Sequence, residues 1–230
     1  MDLSNVTVSE ITFKKLVKAR EDSAIFIVEV RGLTCVMKVV CTDSPVIDDL
    51  YRLTQPLKFH DEGPIPWAPP DREIDPYTCE STAYKRLKEQ GLCDRGIVPQ
   101  FYGTLEKLDV QQFRPHLDMF LEDEYVPNAI FLEYIPNIRM IFPHHYTRER
   151  AENFIHGIQE IHQAMILHLD IEPQNMMIIE DDPARAIWLD FDRAQTYCVD
   201  QLDESTRYFL DNEEDIVREI VERIVSYFVK

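Results

Sequence analysis

The residues best suited to chemistry are clustered between positions 168 and 192, in the sequence HLDIEPQNMMIIEDDPARAIWLDFD. This stretch contains Asp170, an asparagine five residues later (Asn175), and an aspartate at Asp190. Two carboxylates and an amide oxygen are ligands that suit a hard cation such as Mg²⁺. If these three side chains converge, the sequence predicts a site for a divalent cation or for another positively charged group.

Further acidic residues flank this set and change the chemistry that it favours. The carboxylates that would lie together are those of Asp170, Glu172, Asp190 and Asp192, with Lys38 and Arg193 as nearby cations. Crowded carboxylates favour a bound cation, which can be a metal ion or part of a substrate. A guanidinium is a good candidate because it pairs with carboxylates through two parallel hydrogen bonds. In the alternative arrangement, Glu172 and Asp192 face solvent.

The elements predicted around residues 147–192 must bring these groups together. A buried helix is expected from about Thr147 to Met165, because apolar residues repeat there with helical spacing. The loop that follows this helix holds Asp170. The runs MMII and AIWL are predicted to form a hairpin on either side of EDDPAR, so that Asp190 follows the second strand and lies near Asp170.

The N-terminal part is predicted to be β-rich. Residues 11–40 contain three β-type runs, ITFKKLVKA, AIFIVEVRG and LTCVMKVV, which predict an antiparallel meander. Residues 41–76 hold seven of the fourteen prolines, and a loop of that length is either functional or disordered. A last helix is predicted from about Glu213 to Val229.

A helix is predicted directly after the Pro-rich zone. Asp75 can cap its first turn, and Pro76 suits its first position. Glu80 has the spacing that places it on the same helix face as Ala83 and Leu87. We therefore expect the Glu80 carboxylate to point toward the apolar side of the helix, where it needs a cation.

In order and spacing these residues resemble the protein-kinase-like superfamily. In that superfamily an HxD sequence, an asparagine five residues later and a DFG-like sequence mark the catalytic loop and a metal-binding aspartate. By this resemblance Asp170 corresponds to the catalytic aspartate, and Asn175 and Asp190 to the metal ligands. Lys38 in VMKVV corresponds to the strand-three lysine and Glu80 in CESTAYKRL to its helix partner.

The resemblance implies an α+β class and a single kinase-like domain with two lobes. A β-rich N-lobe would cover residues 1–134, with the Pro-rich insertion at 41–76, and a reduced, mainly helical C-lobe would cover residues 135–230. FLEYIP at 131–136 resembles the hinge, and the site would lie between the lobes. Only 40 residues follow Asp190, so we do not expect an activation segment or a protein substrate.

Three departures from the family pattern bear on phosphate chemistry. The segment KKLVKAREDSAI contains no glycine, so the loop whose backbone amides normally cover the phosphates is missing. Glu172 stands where protein kinases carry a lysine that neutralises the transferred phosphoryl group. Asp192 replaces the glycine of DFG, a change that is common in small-molecule kinases of the aminoglycoside and choline type.

The compact size and motif style are similar to those of small kinase-like proteins of filamentous fungi, and in particular to the fungal arginine-containing cyclodipeptide synthases. Those enzymes join arginine to a second amino acid, taking both from aminoacyl-tRNAs. This favoured interpretation makes Asp170 the proton acceptor for the attacking amine and leaves Lys38 paired with Glu80. The arginine pocket would consist of Glu172, Asp190 and Asp192. The pocket for the second amino acid would be lined by the Pro-rich zone, with Trp67 as an aromatic wall. Arginyl-tRNA and a second charged tRNA would be partners, and no cofactor would be required.

Two other functions stay open. The first is a small-molecule phosphotransferase that uses ATP and Mg²⁺, with a cationic alcohol such as an amino sugar as the substrate. This alternative explains why Lys38, Glu80, Asp170, Asn175 and Asp190 are all retained. The second is a pseudokinase scaffold that binds partners without catalysis, which is consistent with the missing glycine loop.

The net charge of −18 opposes a nucleic-acid partner unless a local basic patch exists. The candidate patch consists of Lys14, Lys15, Lys18 and Arg20 on the first strand and its turn, together with Lys85, Arg86 and Lys88 on the first helix. It would form only if those two segments adjoin. The alternative is an ordinary solvated face.

Location and redox state are predicted from what the sequence lacks. No apolar run approaches the roughly 18 residues of a membrane helix, and the N-terminus lacks the layout of a secretion signal. We therefore expect a cytoplasmic protein without a membrane partner. The five cysteines form no CxxC pair, so we expect reduced thiols that pack in the core and no zinc site.

Overall fold

The computed structural model describes residues 1–20, 22–41, 69, 72–198 and 203–226. Trp67 and most of the Pro-rich zone lie outside the described residues. The chain contains a β-rich region together with three α-helices among the described residues, so the predicted α+β class is confirmed. Residue contacts divide the chain into two compact units.

The first unit contains the described residues within 1–41, 74–81 and 101–134. It is built on a five-stranded antiparallel sheet with the strand order β1-β2-β3-β5-β4. The strands are β1 (Ile11–Ala19), β2 (Ser23–Val30), β3 (Leu33–Val40), β4 (Phe101–Leu105) and β5 (Asn128–Glu133). The first three strands match the predicted meander.

Alternation of buried and exposed residues explains why these segments form a sheet with one covered face. On β2, Ala24, Phe26, Val28 and Val30 are buried while the residues between them are half-exposed. The β2–β3 connection is a two-residue turn at Arg31 and Gly32, whose φ angles are 51° and 79°. Positive φ at both central residues is the geometry that continues the twist of a hairpin, and glycine adopts it without strain.

The helix α1 (Pro76–Glu89) begins where Asp75 and Pro76 predicted it. The Asp75 carboxylate accepts a 2.6 Å hydrogen bond from the backbone N–H of Thr78, which caps the first turn. Gly91 follows the last turn with φ +75°, the left-handed conformation that commonly ends helices. Residues 76–81 of this helix group with the first unit and residues 82–89 with the second.

The second unit contains the described residues within 82–100 and 135–226, together with residues 69, 72 and 73. Its helices are α2 (Arg148–Gln163) and α3 (Glu204–Ser226). A three-stranded sheet has the order β6-β8-β9, and a separate pair joins β10 to β7. These strands are β6 (Ile138–Met140), β7 (Ile166–Leu167), β8 (Met176–Ile179), β9 (Asp182–Trp188) and β10 (Gln195–Thr196).

The predicted hairpin is present as β8 and β9, which pair antiparallel with Met176 opposite Trp188. Helix α2 packs closely on β9 at Gly157, where a Cβ atom would lie only 2.9 Å from Trp188 Nε1. The same indole nitrogen donates a 3.2 Å hydrogen bond to the Phe154 carbonyl. Because no larger side chain fits there, this glycine sets the distance between the helix and the strand.

Helix α3 begins nine residues before the predicted start, at Glu204 instead of Glu213. The Asp203 carboxylate accepts a 2.7 Å hydrogen bond from the Thr206 N–H and caps this earlier start. The prediction was wrong because it followed the apolar repeat, which is clear only from Ile216 onward. The last predicted residues of this helix, 227–229, lie outside the described residues.

None of the five cysteines forms a disulfide, and four of them are buried as predicted. Burial raises the pKa of the Cys35 thiol to about 11, which keeps it protonated and unreactive. Cys198 is exposed, so the prediction that every cysteine packs in the core was wrong at this position. None of the described helices is long and apolar enough to cross a membrane.

Candidate functional site

Asp170 lies in the loop after β7 and is held by Asn175. The Asn175 side-chain nitrogen donates hydrogen bonds to Asp170 Oδ2 at 2.8 Å and to the Asp170 carbonyl at 2.9 Å. Asn175 is only 3% exposed, so its amide is fixed by its surroundings. Both bonds use the nitrogen, which leaves the Asn175 amide oxygen as the atom that can act as a metal ligand.

The β8–β9 hairpin places Asp190 beside this loop. The backbone N–H of Leu189 donates a 3.0 Å hydrogen bond to the Asn175 carbonyl, and Asp190 is the next residue. Its φ angle is +64°, a left-handed conformation that aspartate tolerates better than most residues. Leu169, directly before Asp170, has φ +61°. Such strained backbone is typical of functional sites.

Glu213 on α3 anchors the loop that carries Asp170. Its side chain accepts hydrogen bonds from the backbone N–H groups of His168 at 2.9 Å and of Leu169 at 2.7 Å. His162 Nε2 lies 2.8 Å from the same carboxylate. Glu213 is 5% exposed, so these contacts replace the water that a buried carboxylate would otherwise need. The sequence analysis missed this residue.

Arg193 is the cation nearest to Asp170 among the described residues of the second unit. One guanidinium nitrogen lies 3.8 Å from Asp170 Oδ1, and the two side chains are 34% and 15% exposed. That separation is too long for a hydrogen bond. Arg193 makes no hydrogen bond to any described residue, so its five N–H donors remain available to solvent or to a ligand.

Glu172 and Asp192 are half-buried, which differs from the alternative in which both face solvent fully. Glu172 lies in the Asp170 loop, and its backbone N–H donates a 2.9 Å hydrogen bond to the Asp170 carbonyl. Both side chains interact with other residues. The assignment of Glu172, Asp190 and Asp192 to an arginine pocket stays a prediction.

The donor set allows a test of whether Mg²⁺ suits this site. Among the described residues, no three His, Cys, Asp or Glu side chains are placed to hold a metal ion. Asn175 and Asp190 alone offer one amide oxygen and one carboxylate. Mg²⁺ is commonly held by one or two carboxylates that act together with substrate phosphates. The residues therefore fit Mg²⁺ that arrives with a phosphate ligand, and they do not fit a permanent metal centre.

In the first unit, Lys38 and Glu80 form a buried ion pair. Lys38 Nζ lies 2.7 Å from Glu80 Oε2, and their side chains are 11% and 1% exposed. Helix α1 turns Glu80 inward, as its spacing predicted. Removing one partner from such a pair costs about 3–5 kcal/mol of stability, because the other charge stays buried without compensation.

Arg86, a member of the predicted basic patch, bonds the main chain of the second unit. Its guanidinium donates hydrogen bonds to the carbonyl oxygens of Ala164 at 3.3 Å and Tyr197 at 3.2 Å. One of its nitrogens thereby satisfies the carbonyl at the end of α2, and the basic patch stays a prediction. Lys14 lies 3.0 Å from Glu29 and is already compensated.

Comparison with known proteins gives one weak similarity. No protein-family model matches the sequence. The human (Homo sapiens) protein "Myosin light chain kinase family member 4" is 26% identical over 134 residues, which cover 53% of this chain. The chain spans 34% of the length of that relative. The similarity indicates a kinase-like relationship and does not identify an activity.

Proposed function

We propose that this protein has a two-lobed protein-kinase-like fold and transfers a phosphoryl group from ATP to a small molecule. The observation that carries the proposal is the Asp170 carboxylate, held by the buried Asn175 amide at 2.8 Å and next to the Asp190 turn. The Lys38–Glu80 ion pair and the similarity to a kinase support it. This choice departs from the interpretation that the sequence favoured, because nothing in the comparisons concerns cyclodipeptide synthesis.

Asp170 would act as the proton acceptor for the hydroxyl group of the substrate. Its carboxylate is hydrogen-bonded by a neutral amide and is 15% exposed on its side chain, so it keeps oxygen lone pairs for an incoming O–H group. The Asn175 amide oxygen and the Asp190 carboxylate would hold Mg²⁺. That ion, when bound, neutralises charge on the transferring phosphoryl group.

Arg193 would supply the positive charge that Glu172 does not. Phosphoryl transfer depends on cations near the equatorial oxygens of the transferred group. The Arg193 guanidinium lies beside Asp170 with its hydrogen-bond donors available, and its planar geometry suits phosphate oxygens. The acidic residue at position 172 is then compatible with phosphate chemistry.

The short connection after Asp190 favours a small substrate. Residues 191–203 separate Asp190 from α3, and within them β10 pairs back onto β7. In this part of the described chain there is no extended platform for a protein substrate. A cationic alcohol is the substrate class that the half-buried carboxylates Glu172 and Asp192 favour.

Arginine-containing cyclodipeptide synthesis is the second candidate function. It is favoured by the acidic residue Glu172 close to Asp170 and by the absence of glycine between β1 and β2. Asp170 would then accept a proton from the attacking α-amine of an arginyl group. Arginyl-tRNA and a second charged tRNA would be the substrates, and ATP would not be needed.

Paired binding and product assays distinguish the candidates. Mg-ATP binding is measured by thermal shift and calorimetry, and phosphotransfer is followed with ATP and a panel of amino sugars and amino alcohols. In parallel, the protein receives arginyl-tRNA with a second charged tRNA, and cyclic dipeptides are sought by mass spectrometry. The test variant is Asp170→Asn, and its matched control is Asp181→Asn. Asp181 is an exposed aspartate in the turn of the β8–β9 hairpin.

We expect Mg-ATP binding and phosphotransfer that Asp170→Asn abolishes and Asp181→Asn leaves intact. A cyclic dipeptide without Mg-ATP binding would replace the proposal with the second candidate. Absence of binding and of both products would leave the scaffold interpretation, and it would refute enzymatic function with these substrates.

A further inference from the structure

We propose that Lys15 and Lys18 on β1 bind a phosphate chain on the sheet face that carries Lys38, in place of the missing glycine loop. The ligand class is a short polyphosphate, and its identification with the phosphates of ATP rests on the proposed function. The lysines themselves are assigned from strand register within the first unit.

Register places the three lysines on one face of the sheet. Lys18 is opposite Ile25 on β2, and Ile25 is opposite Lys38 on β3. Residues directly opposite each other in antiparallel strands project from the same face. Lys18 and Lys38 therefore lie in one row, two strands or about 10 Å apart.

The neighbouring row contains the second lysine. Lys15 is opposite Ile27, which is opposite Val36. The other face of the sheet belongs to the core: Phe13 is opposite Val28, and its ring centroid lies 5.0 Å from that of Phe26. The face with the lysines is thus separate from the packed core.

Lys15 and Lys18 carry positive charge that no neighbouring carboxylate compensates among the described residues. Lys15 and Lys18 are exposed and form no ion pair with any described residue, although the chain carries 42 acidic residues against 24 basic ones. Lys14 differs because Glu29 compensates it at 3.0 Å. Like charges collected on one face favour an anion.

The backbone of this hairpin does not replace the lysines as a phosphate binder. β1 continues to Ala19 and pairs with β2, and the Arg20 N–H donates a 2.7 Å hydrogen bond to the Ser23 carbonyl. The described residues on either side of position 21 form no wide loop in which successive N–H groups could surround a phosphate. Positive side chains are the remaining donors on this edge of the sheet.

A small polyphosphate is favoured over nucleic acid as the ligand. The side chains between the lysines are apolar and half-buried, namely Ile25, Ile27 and Val36, which strengthens a nearby charge interaction. Lys15 and Lys18 make a small footprint, since the charge of Lys38 is compensated by Glu80. The net charge of −18 repels a long polyanion beyond it.

The test measures binding of inorganic tripolyphosphate, Mg-ATP, adenosine and a tRNA mixture to the full chain by calorimetry. The variants are Lys15→Met/Lys18→Met, the charge-preserving pair Lys15→Arg/Lys18→Arg, and the control Lys85→Met at an exposed lysine of α1. We expect the double methionine variant to weaken tripolyphosphate and Mg-ATP about tenfold or more. Adenosine binding and the other two variants should stay near the original values.

The outcomes separate this inference from the proposed function. If the double methionine variant binds Mg-ATP as tightly as the original protein does, the role of Lys15 and Lys18 is refuted and the proposed phosphotransfer is unaffected. If tripolyphosphate binds and requires Lys15 and Lys18, but Mg-ATP does not bind, the phosphate site is supported and ATP is excluded as its ligand. Stronger lysine-dependent binding of tRNA than of tripolyphosphate would overturn the assignment to a small polyphosphate.

Discussion

The Lys38–Glu80 pair and the surroundings of Asp170 hold a carboxylate in two different ways. Glu80 is 1% exposed and in contact with a lysine at 2.7 Å. The Asp170 side chain is 15% exposed, is bonded by the neutral amide of Asn175, and has Arg193 only at 3.8 Å. Removing one partner of a buried pair is costly because the other charge is left without compensation, and a charge paired this closely has no capacity left for a ligand. A charge bound on one side only remains available for chemistry.

Breaking the buried pair should give the largest change in stability. Lys38→Met leaves the Glu80 charge without compensation, and we expect it to lower the free energy of unfolding by about 3–5 kcal/mol. Adding Glu80→Gln removes that charge and should recover much of the loss. Urea denaturation followed by circular dichroism measures both variants. Equal stability of Lys38→Met and the original protein would show that the pair is not formed in solution.

Removing the anchor of the Asp170 loop should give an intermediate effect. Glu213→Gln puts an amide nitrogen or a weaker acceptor against the N–H groups of His168 and Leu169, so we expect a loss of about 1–3 kcal/mol. Turnover should fall as well because the Asp170 loop loses its fixed position. The control is Glu214→Gln, the neighbouring acidic residue that bonds Gln159 at 2.7 Å. A larger loss in the control would contradict this role of Glu213.

Asp170→Asn should change stability by less than about 1 kcal/mol, since its carboxylate is partly exposed and an amide fits the same space. Its effect on phosphotransfer should be at least about 100-fold if it is the proton acceptor. Measuring unfolding and turnover on the same sample separates the two effects. A stable variant with normal turnover would remove Asp170 from the mechanism.

An exposed ion pair gives the smallest expected effect. Arg31 donates hydrogen bonds to Glu10 at 2.7 and 3.2 Å, and these bonds, followed by one from the Thr7 N–H, lower the pKa of Glu10 from 4.5 to about 2. Because the pKa is lower in the folded state, the contribution to stability is present above pH 4.5 and is lost as the pH falls through 2.

The measurement compares unfolding of the original protein and Glu10→Gln between pH 5 and pH 2. The original protein should be slightly more stable at pH 5, and the difference should shrink toward pH 2. A constant difference across this range would indicate that the Glu10 pKa is not lowered.

Local patterns were sufficient to predict most elements and the inward direction of Glu80. The capping residue Asp75 and Pro76 predicted the start of α1, and the alternation of apolar residues predicted β1 to β3. The predicted last helix also contained Glu213 together with Val217 and Val221, which follow it at four-residue intervals, and all three are buried. The spacing could therefore have indicated a buried carboxylate, but its partners, the N–H groups of His168 and Leu169, lie on a distant segment and could not be predicted from it.

Other features of the site depend on contacts between distant segments. Arg86 has the sequence context of an exposed helical arginine, yet it bonds the carbonyls of Ala164 and Tyr197. The distance from Arg193 to Asp170 likewise depends on how the chain turns after β9. Periodicity describes only the environment along one element, so it cannot predict such contacts.

The position of Glu213 has a consequence for shortened forms of this protein. A splice form or proteolytic fragment that stops after residue 198 would retain the motif residues Lys38, Glu80, Asp170 and Asp190. It would lack Glu213. Two main-chain N–H groups, those of His168 and Leu169, would then have lost their acceptor. We expect such a fragment to lose the fixed position of Asp170, and with it any activity that depends on this carboxylate, although all the motif residues are present.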